Sequence, residues 1–260
     1  MKNKLFATLG LMLALAAGAI PARAYLSGPA SSSSSTAVNY MDLASYFFFK
    51  EEFSVFTTAG SLGSESNLTF SGTIATVQSE STAHIGIVSL STGASGTGAS
   101  NYLGTSDGTY NIYLGGGVTQ MDWIVKLPNL STAGEAYNVI MGLGTNSNTA
   151  PADGLVFYYA HGSSSGNWEL RASSGGAGNL TTRDTGIAAT TNWVHLKWIL
   201  NAACTSAQAY IDGTAAGAPI TTNLPCTNGM RYFAGILKSN GTTPRKLYLD
   251  AFSLLATIAK

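Results

Sequence analysis

Apolar and polar residues alternate along this chain in short stretches, set apart by clusters of Gly, Ser, Asn and Asp. Trp193–Leu200 shows the pattern best: Val194, Leu196, Trp198 and Leu200 make one apolar face, and Trp193, His195, Lys197 and Ile199 a mixed one. A period of two with one apolar face predicts a half-buried β-strand. Strands are expected in the same way over Thr69–Val77, His84–Leu90, Tyr110–Leu114, Thr119–Leu127, Ala136–Leu143, Gly154–Tyr159, Trp168–Ala172, Ala207–Ile211, Met230–Leu237 and Lys246–Leu254. Tyr46-Phe47-Phe48-Phe49, closed off by Lys50-Glu51-Glu52, reads as a further buried strand. No segment keeps a helical period for three turns and no spacing repeats, so neither helical crossovers nor a solenoid is expected. The pattern predicts an all-β protein, an antiparallel sandwich or barrel.

The N-terminus departs from this pattern. Lys2 and Lys4 precede an apolar run from Leu5 to Ile20, and Ala22-Arg23-Ala24 supplies small residues where a signal peptidase reads. Residues 1–24 are therefore expected to be a secretory signal peptide rather than a membrane anchor. The nearly pure hydroxyl run Ser31–Thr36 predicts a flexible segment over 25–39, which leaves 40–260 as one β-sandwich domain.

Export changes the meaning of charge and of cysteine. The chain carries 13 basic and 13 acidic residues. Lys2, Lys4 and Arg23 would leave with the leader, tipping the remainder to 10 against 13. With no basic cluster, nucleic-acid binding is not expected, since phosphate backbones need several Lys or Arg on one surface. Nor is membrane insertion expected after cleavage. Two cysteines in an oxidising compartment invite pairing. A strand ending near Leu200, a turn, and a hairpin at Asp212-Gly213 would return the chain toward Cys204 and bring Cys226 beside it. The alternative is two buried thiols.

The stretch from His84 to Leu255 resembles the concanavalin A-like jelly roll of legume lectins and laminin-G-like modules. The resemblance rests on Asn192-Trp193-Val194-His195-Leu196-Lys197, on Ala209-Tyr210-Ile211-Asp212-Gly213, and on Ile220-Thr221-Thr222-Asn223-Leu224-Pro225. Asp153-Gly154-Leu155-Val156-Phe157 and His84-Ile85-Gly86 are similar to further parts of the pattern. Ile236-Leu237-Lys238-Ser239 and Leu247-Tyr248-Leu249-Asp250 resemble the closing strands of a variant in phage structural and tail-associated proteins. It implies an antiparallel jelly-roll β-sandwich. It does not imply one activity, because the fold hosts unrelated functions.

Glycan hydrolysis would need paired carboxylates across a sugar. The acids here are dispersed, with Asp122 and Glu135 the nearest to mid-sheet candidates, so no catalytic residue is assigned. His84, His161 and His195 are scattered, and no nucleophile elbow or zinc-ligand spacing occurs. Calcium takes oxygen ligands, for which Asp153 and Asn146, with Asn148, are the candidates; no other cofactor is expected. Aromatics able to stack on sugar rings remain, giving a ligand-binding set of Trp123, Trp168, Trp193, His195 and Tyr159. The leading expectation is a secreted, non-enzymatic module recognising a surface glycan or protein partner. Two alternatives stand beside it: a structural subunit of an extracellular assembly, which would make it a homo-oligomer, and a glycan hydrolase or lyase with an unusual acid pair.

Overall fold

Alternation sets the layers. Along Thr119–Lys126 the residues Thr119, Met121, Trp123 and Val125 are buried, while Gln120, Asp122, Ile124 and Lys126 are partly exposed. The same rule orders the strands of the computed structural model, which describes residues 46–52, 68–71, 74–78, 84, 86–94, 100–105, 112–145, 151–176 and 178–257. The leader 1–24, the serine-rich segment 25–39, Asn146 and Asn148 lie outside these residues.

In chain order the strands are β1 (Tyr46–Glu52), β2 (Leu68–Ser71), β3 (Ile74–Gln78), β4 (Ile87–Ser91), β5 (Ser100–Thr105), β6 (Thr119–Lys126), β7 (Tyr137–Gly144) and β8 (Gly154–Ala160). They continue with β9 (Asn167–Ser173), β10 (Leu180–Ala188), β11 (Trp193–Leu200), β12 (Ala207–Ile211), β13 (Thr214–Ile220), β14 (Arg231–Lys238) and β15 (Lys246–Thr257). One sheet runs β13-β12-β11-β6-β15-β4-β3, and β1 pairs with the C-terminal half of β15. The other runs β10-β9-β8-β7-β14-β5-β2. Neighbouring strands pair antiparallel throughout, as in a jelly-roll sandwich.

The inner faces of both sheets meet in one core. Trp123 stacks on Phe252 at 4.7 Å between ring centroids, and Trp168, Trp198 and Phe157 are fully buried beside them. Burying side chains of this size contributes roughly 1.5–3 kcal/mol each. One flank of the sandwich is closed by β10 against β13. Gly217, at φ +65°, lies so close that a Cβ there would sit 2.4 Å from the Asp184 carbonyl oxygen. The Thr181 and Thr222 hydroxyls join 2.8 Å apart along the same seam. The hairpin expected at Asp212-Gly213 forms, with φ of +49° and +81° as a tight two-residue turn requires. Asp212 Oδ1 accepts the His195 N–H at 2.8 Å and fixes it.

The strands depart from expectation in three places. Thr69–Val77 is two strands, β2 and β3, which belong to different sheets. Of Tyr110–Leu114 the described part makes only an isolated bridge, Ile112 to Met230. The strands β5 and β10 were not expected at all. In β10 only Thr185 is buried, so that edge strand carries no apolar stripe to betray it.

Candidate functional site

The registers bring several loops to one end of the sandwich. Leu200 pairs with Thr119 and with Ala207, and Ala207 with Ile220. In the other sheet Gly144 pairs with both Gly154 and Arg231, and Ser173 with Gly154 and Leu180. The connections β7–β8, β9–β10, β11–β12 and β13–β14 therefore leave from the same end. The Cys204–Cys226 disulfide links two of them, with Cα atoms 5.9 Å apart. The hairpin return foreseen from the sequence explains how these cysteines meet.

Asp153 is the hub of this end. Its Oδ1 accepts the Gly175 N–H at 2.7 Å and a hydrogen bond from Asn228 Nδ2. These partners come from the β9–β10 and β13–β14 connections, so three loops converge on one half-buried carboxylate. The backbone around it is tied as well. Thr145 N–H donates to the Asp153 carbonyl at 2.9 Å, Gly176 N–H to the Ala152 carbonyl at 2.9 Å, and the Ser173 hydroxyl to the Pro151 carbonyl at 2.6 Å. Gly175 and Gly176, at φ +73° and +122°, let that turn approach. A carboxylate acceptor, a carboxamide and a backbone N–H on adjoining loops form a set that can hold vicinal hydroxyl groups, each of which donates one hydrogen bond and accepts others.

The other residues singled out in the sequence fall into two groups. Trp123, Trp168 and Tyr159 are 0%, 1% and 2% exposed and pack in the core. Their ring faces are covered, which corrects the expectation that they meet a ligand. Tyr159 is anchored there by its hydroxyl, which accepts the Ser131 N–H at 3.0 Å. The burial of Trp123 and Trp168 was readable, because apolar residues occupy the alternate positions Met121, Val125, Leu170 and Ala172.

Trp193 and His195 do lie together, on the outward face of β11 toward the other end. His84 stacks on Trp193 at 4.2 Å, with the Lys126 ammonium 5.8 Å from the indole centroid. His84 Nδ1 meets Asp250 Oδ2 at 2.8 Å, and His195 Nε2 meets Asp122 Oδ1 at 2.8 Å. Gln120 Nε2 also donates to Asp122, at 2.8 Å. Burial raises the Asp122 pKa, but hydrogen bonds from His195 and Gln120 and the charges of His195 and Lys197 outweigh it and hold the carboxyl below the usual aspartate range.

Glu135 is occupied elsewhere. Its carboxylate accepts the Thr242 and Thr243 N–H groups and the Thr243 hydroxyl, with Lys238 Nζ at 3.5 Å, and so clamps the turn after β14. Desolvation opposes its ionised form, yet these partners keep its pKa low. Asp122 and Glu135 thus serve separate hydrogen-bond networks.

One polar cluster was missed in the sequence. Glu169, 1% exposed, takes hydrogen bonds from the Ser163 hydroxyl at 2.5 Å, the Ser164 hydroxyl at 2.6 Å and Arg171 Nε at 2.7 Å. The Arg171 guanidinium lies 3.3 Å from the Tyr158 ring centroid. The alternation Glu169, Arg171 against Trp168, Leu170 was the available signal. Asn228 and Gly175 had none, because only the fold makes their loops neighbours of Asp153.

Calcium needs six to eight oxygens. Among the described residues no three acidic, His or Cys side chains gather as a metal site. Of the calcium candidates, Asp153 Oδ1 is engaged by N–H donors, and Asn146 and Asn148 lie outside the described residues.

The fold has known counterparts. The chain is similar to the crystal structure of a protein of unknown function, SO2946, from Shewanella oneidensis MR-1, with a TM-score of 0.58, 14% identity, and coverage of 86% of this chain and 90% of that one. It is similar to peanut lectin in complex with a nine-residue peptide, at TM-score 0.52 and 13% identity over 83% of this chain and 99% of that one. A native glycosidic hydrolase aligns at TM-score 0.51 and 15% identity, over 80% of this chain and 94% of that one. Identities this low speak for the concanavalin A-like fold alone, and a lectin and a hydrolase share it. Comparison with curated proteins finds no match. The family model for the SO2946-like, C-terminal domain matches residues 83–250, well over half of the chain, and the chain belongs to that family.

Proposed function

We propose that this protein is an exported, non-catalytic carbohydrate-binding module whose loop end recognises sugar hydroxyls. The observation that carries the reading is the convergence of the Asp153 carboxylate, the Asn228 carboxamide and the Gly175 N–H from three separate loops. A hydroxyl entering there would donate to the carboxylate and accept from an amide, so the ligand's hydroxyls replace bonds the loops now make to one another. Loops on a rigid sandwich are where such selectivity is usually built. Lectin neighbours on the same fold support the choice of ligand class. A disulfide within the domain supports folding in an oxidising compartment, in keeping with the leader expected at 1–24.

Binding of the fluorescently labelled mature protein to an array of immobilised glycans tests this. Wild type should bind a defined set of glycans, and Asp153→Asn and Asn228→Ala should each weaken it about tenfold or more, the usual effect of removing a charge-assisted hydrogen bond. Binding that neither substitution changes would refute the site. A wild-type protein that binds no glycan would refute the function.

A further inference from the structure

Two asparagines in the chain precede glycine: Asn228 and Asn240. An asparagine in this position can lose its side-chain amide, because the next backbone nitrogen is unhindered as it attacks the carboxamide carbon. Its speed in a folded protein depends on how the two groups are held relative to each other. The structure holds the two pairs differently.

Asn240 lies in the exposed turn that follows β14. The N–H groups of Ser239 and Asn240 both donate to the Ala136 carbonyl, at 2.9 and 3.1 Å. The Asn240 carboxamide donates through Nδ2 to the Ala133 carbonyl at 2.9 Å, which fixes the side chain. Its Oδ1 accepts the Gly241 N–H at 2.9 Å. The Gly241 nitrogen is thus in contact with the carboxamide it would attack. Gly241 is confined from the other side as well. At φ +88°, it lies where an added Cβ would be 2.3 Å from Glu135 Oε2. That carboxylate also holds the Thr242 and Thr243 N–H groups. Lys238 Nζ at 3.5 Å and Arg245 Nε at 4.0 Å offset its charge, which then weighs less against negative charge developing on the carboxamide. Asn228 is held otherwise. Its Nδ2 donates to the Asp153 carboxylate, which turns the carboxamide toward another loop and sets a negative charge beside it.

We propose that Asn240 is a deamidation site, converted by water in the folded protein to aspartate and isoaspartate. A solvent base removes the Gly241 N–H proton, and the nitrogen attacks Asn240 Cγ. The N–Cγ bond forms, the Cγ–Nδ2 bond breaks, and ammonia leaves after taking a proton from water. Water then opens the resulting succinimide at either carbonyl. Opening at the backbone carbonyl gives isoaspartate, whose main chain runs through the side-chain CH₂ and is one carbon longer. The added carbon displaces Thr242 and Thr243 from Glu135 and undoes the clamp between the β6–β7 connection and the turn after β14. That turn leaves from Lys238, at the end of β14 opposite Arg231, which pairs with Gly144 near Asp153. The change therefore spares the proposed sugar site and does not depend on it.

The test incubates the mature protein in mildly alkaline buffer, folded and in parallel in concentrated urea. Mass spectrometry of its peptides follows the exchange of amide for carboxyl. In urea both asparagines have the same following residue and should convert at similar rates. In the folded protein Asn240 should convert at least as fast as in urea, and about tenfold or more faster than Asn228. Isoaspartate at 240 should appear as a second peptide with the mass of the aspartate form. The converted protein should unfold at lower urea than Asn240→Gln incubated alongside, and an unchanged midpoint would refute the loss of the clamp. Glu135→Ala should slow conversion at Asn240. An Asn240 slower in the folded protein than in urea overturns the proposal, as does a folded protein in which Asn228 converts first. Faster conversion in Glu135→Ala would show that freedom of the turn drives the reaction, and overturns it too.

Discussion

Asp122 sits on β6 with a histidine, a glutamine, a serine and a lysine around a single carboxylate, and its folded pKa is lowered in consequence. A carboxylate whose pKa is lower folded than unfolded contributes stability at pH values above its unfolded pKa. That contribution is lost as pH falls through the folded pKa. The urea midpoint should therefore fall on acidification below the ordinary aspartate range, and Asp122→Asn should flatten part of that fall. An unchanged acid limb in the variant would show that the pair with His195 carries no net stability. At this scale the sequence was informative about faces. Alternation placed Trp193 and His195 outward and gave β11 its inner residues Leu196, Trp198 and Leu200. It equally implied that Trp123 and Trp168 point inward, a signal outweighed in the ligand-binding set by the general habit of aromatics to bind sugars.

Elements were legible where burial is one-sided. The strands β6, β11 and β12 and the Asp212-Gly213 hairpin follow from period and turn chemistry alone. The edge strand β10 does not, because an edge strand in solvent needs no apolar face and its sequence Leu180–Ala188 reads as loop. The switch between β2 and β3 was hidden for another reason. Each is short, and strand pattern does not say which sheet a residue joins. Closure of the flank by β10 and β13 gives a sharp expectation. Gly217→Ala introduces a Cβ 2.4 Å from the Asp184 carbonyl oxygen and strains a φ of +65°. It should destabilise the fold by about 1–3 kcal/mol in urea titration. A neutral result would mean that the two edges are not in contact in solution.

For the molecule as a whole, the disulfide closes a loop with a sequence separation of 22 residues. Replacing both cysteines by serine should cost about 3 kcal/mol in the chain-entropy picture, read as a lower denaturant midpoint under non-reducing conditions. The pairing was legible because hairpin geometry returned the chain. The meeting of Asp153 with Gly175 and Asn228 was not, since three loops distant in sequence share no local pattern. Backbone and side-chain amide NMR tests the central claim most directly, with the isotope-labelled protein titrated by the glycan of largest array response. The Gly175 backbone N–H and the Asn228 side-chain NH₂ resonances should shift together and saturate with the same affinity. Shifts confined to the outward face of β11, around Trp193 and His195, with Gly175 and Asn228 unmoved, would contradict the account.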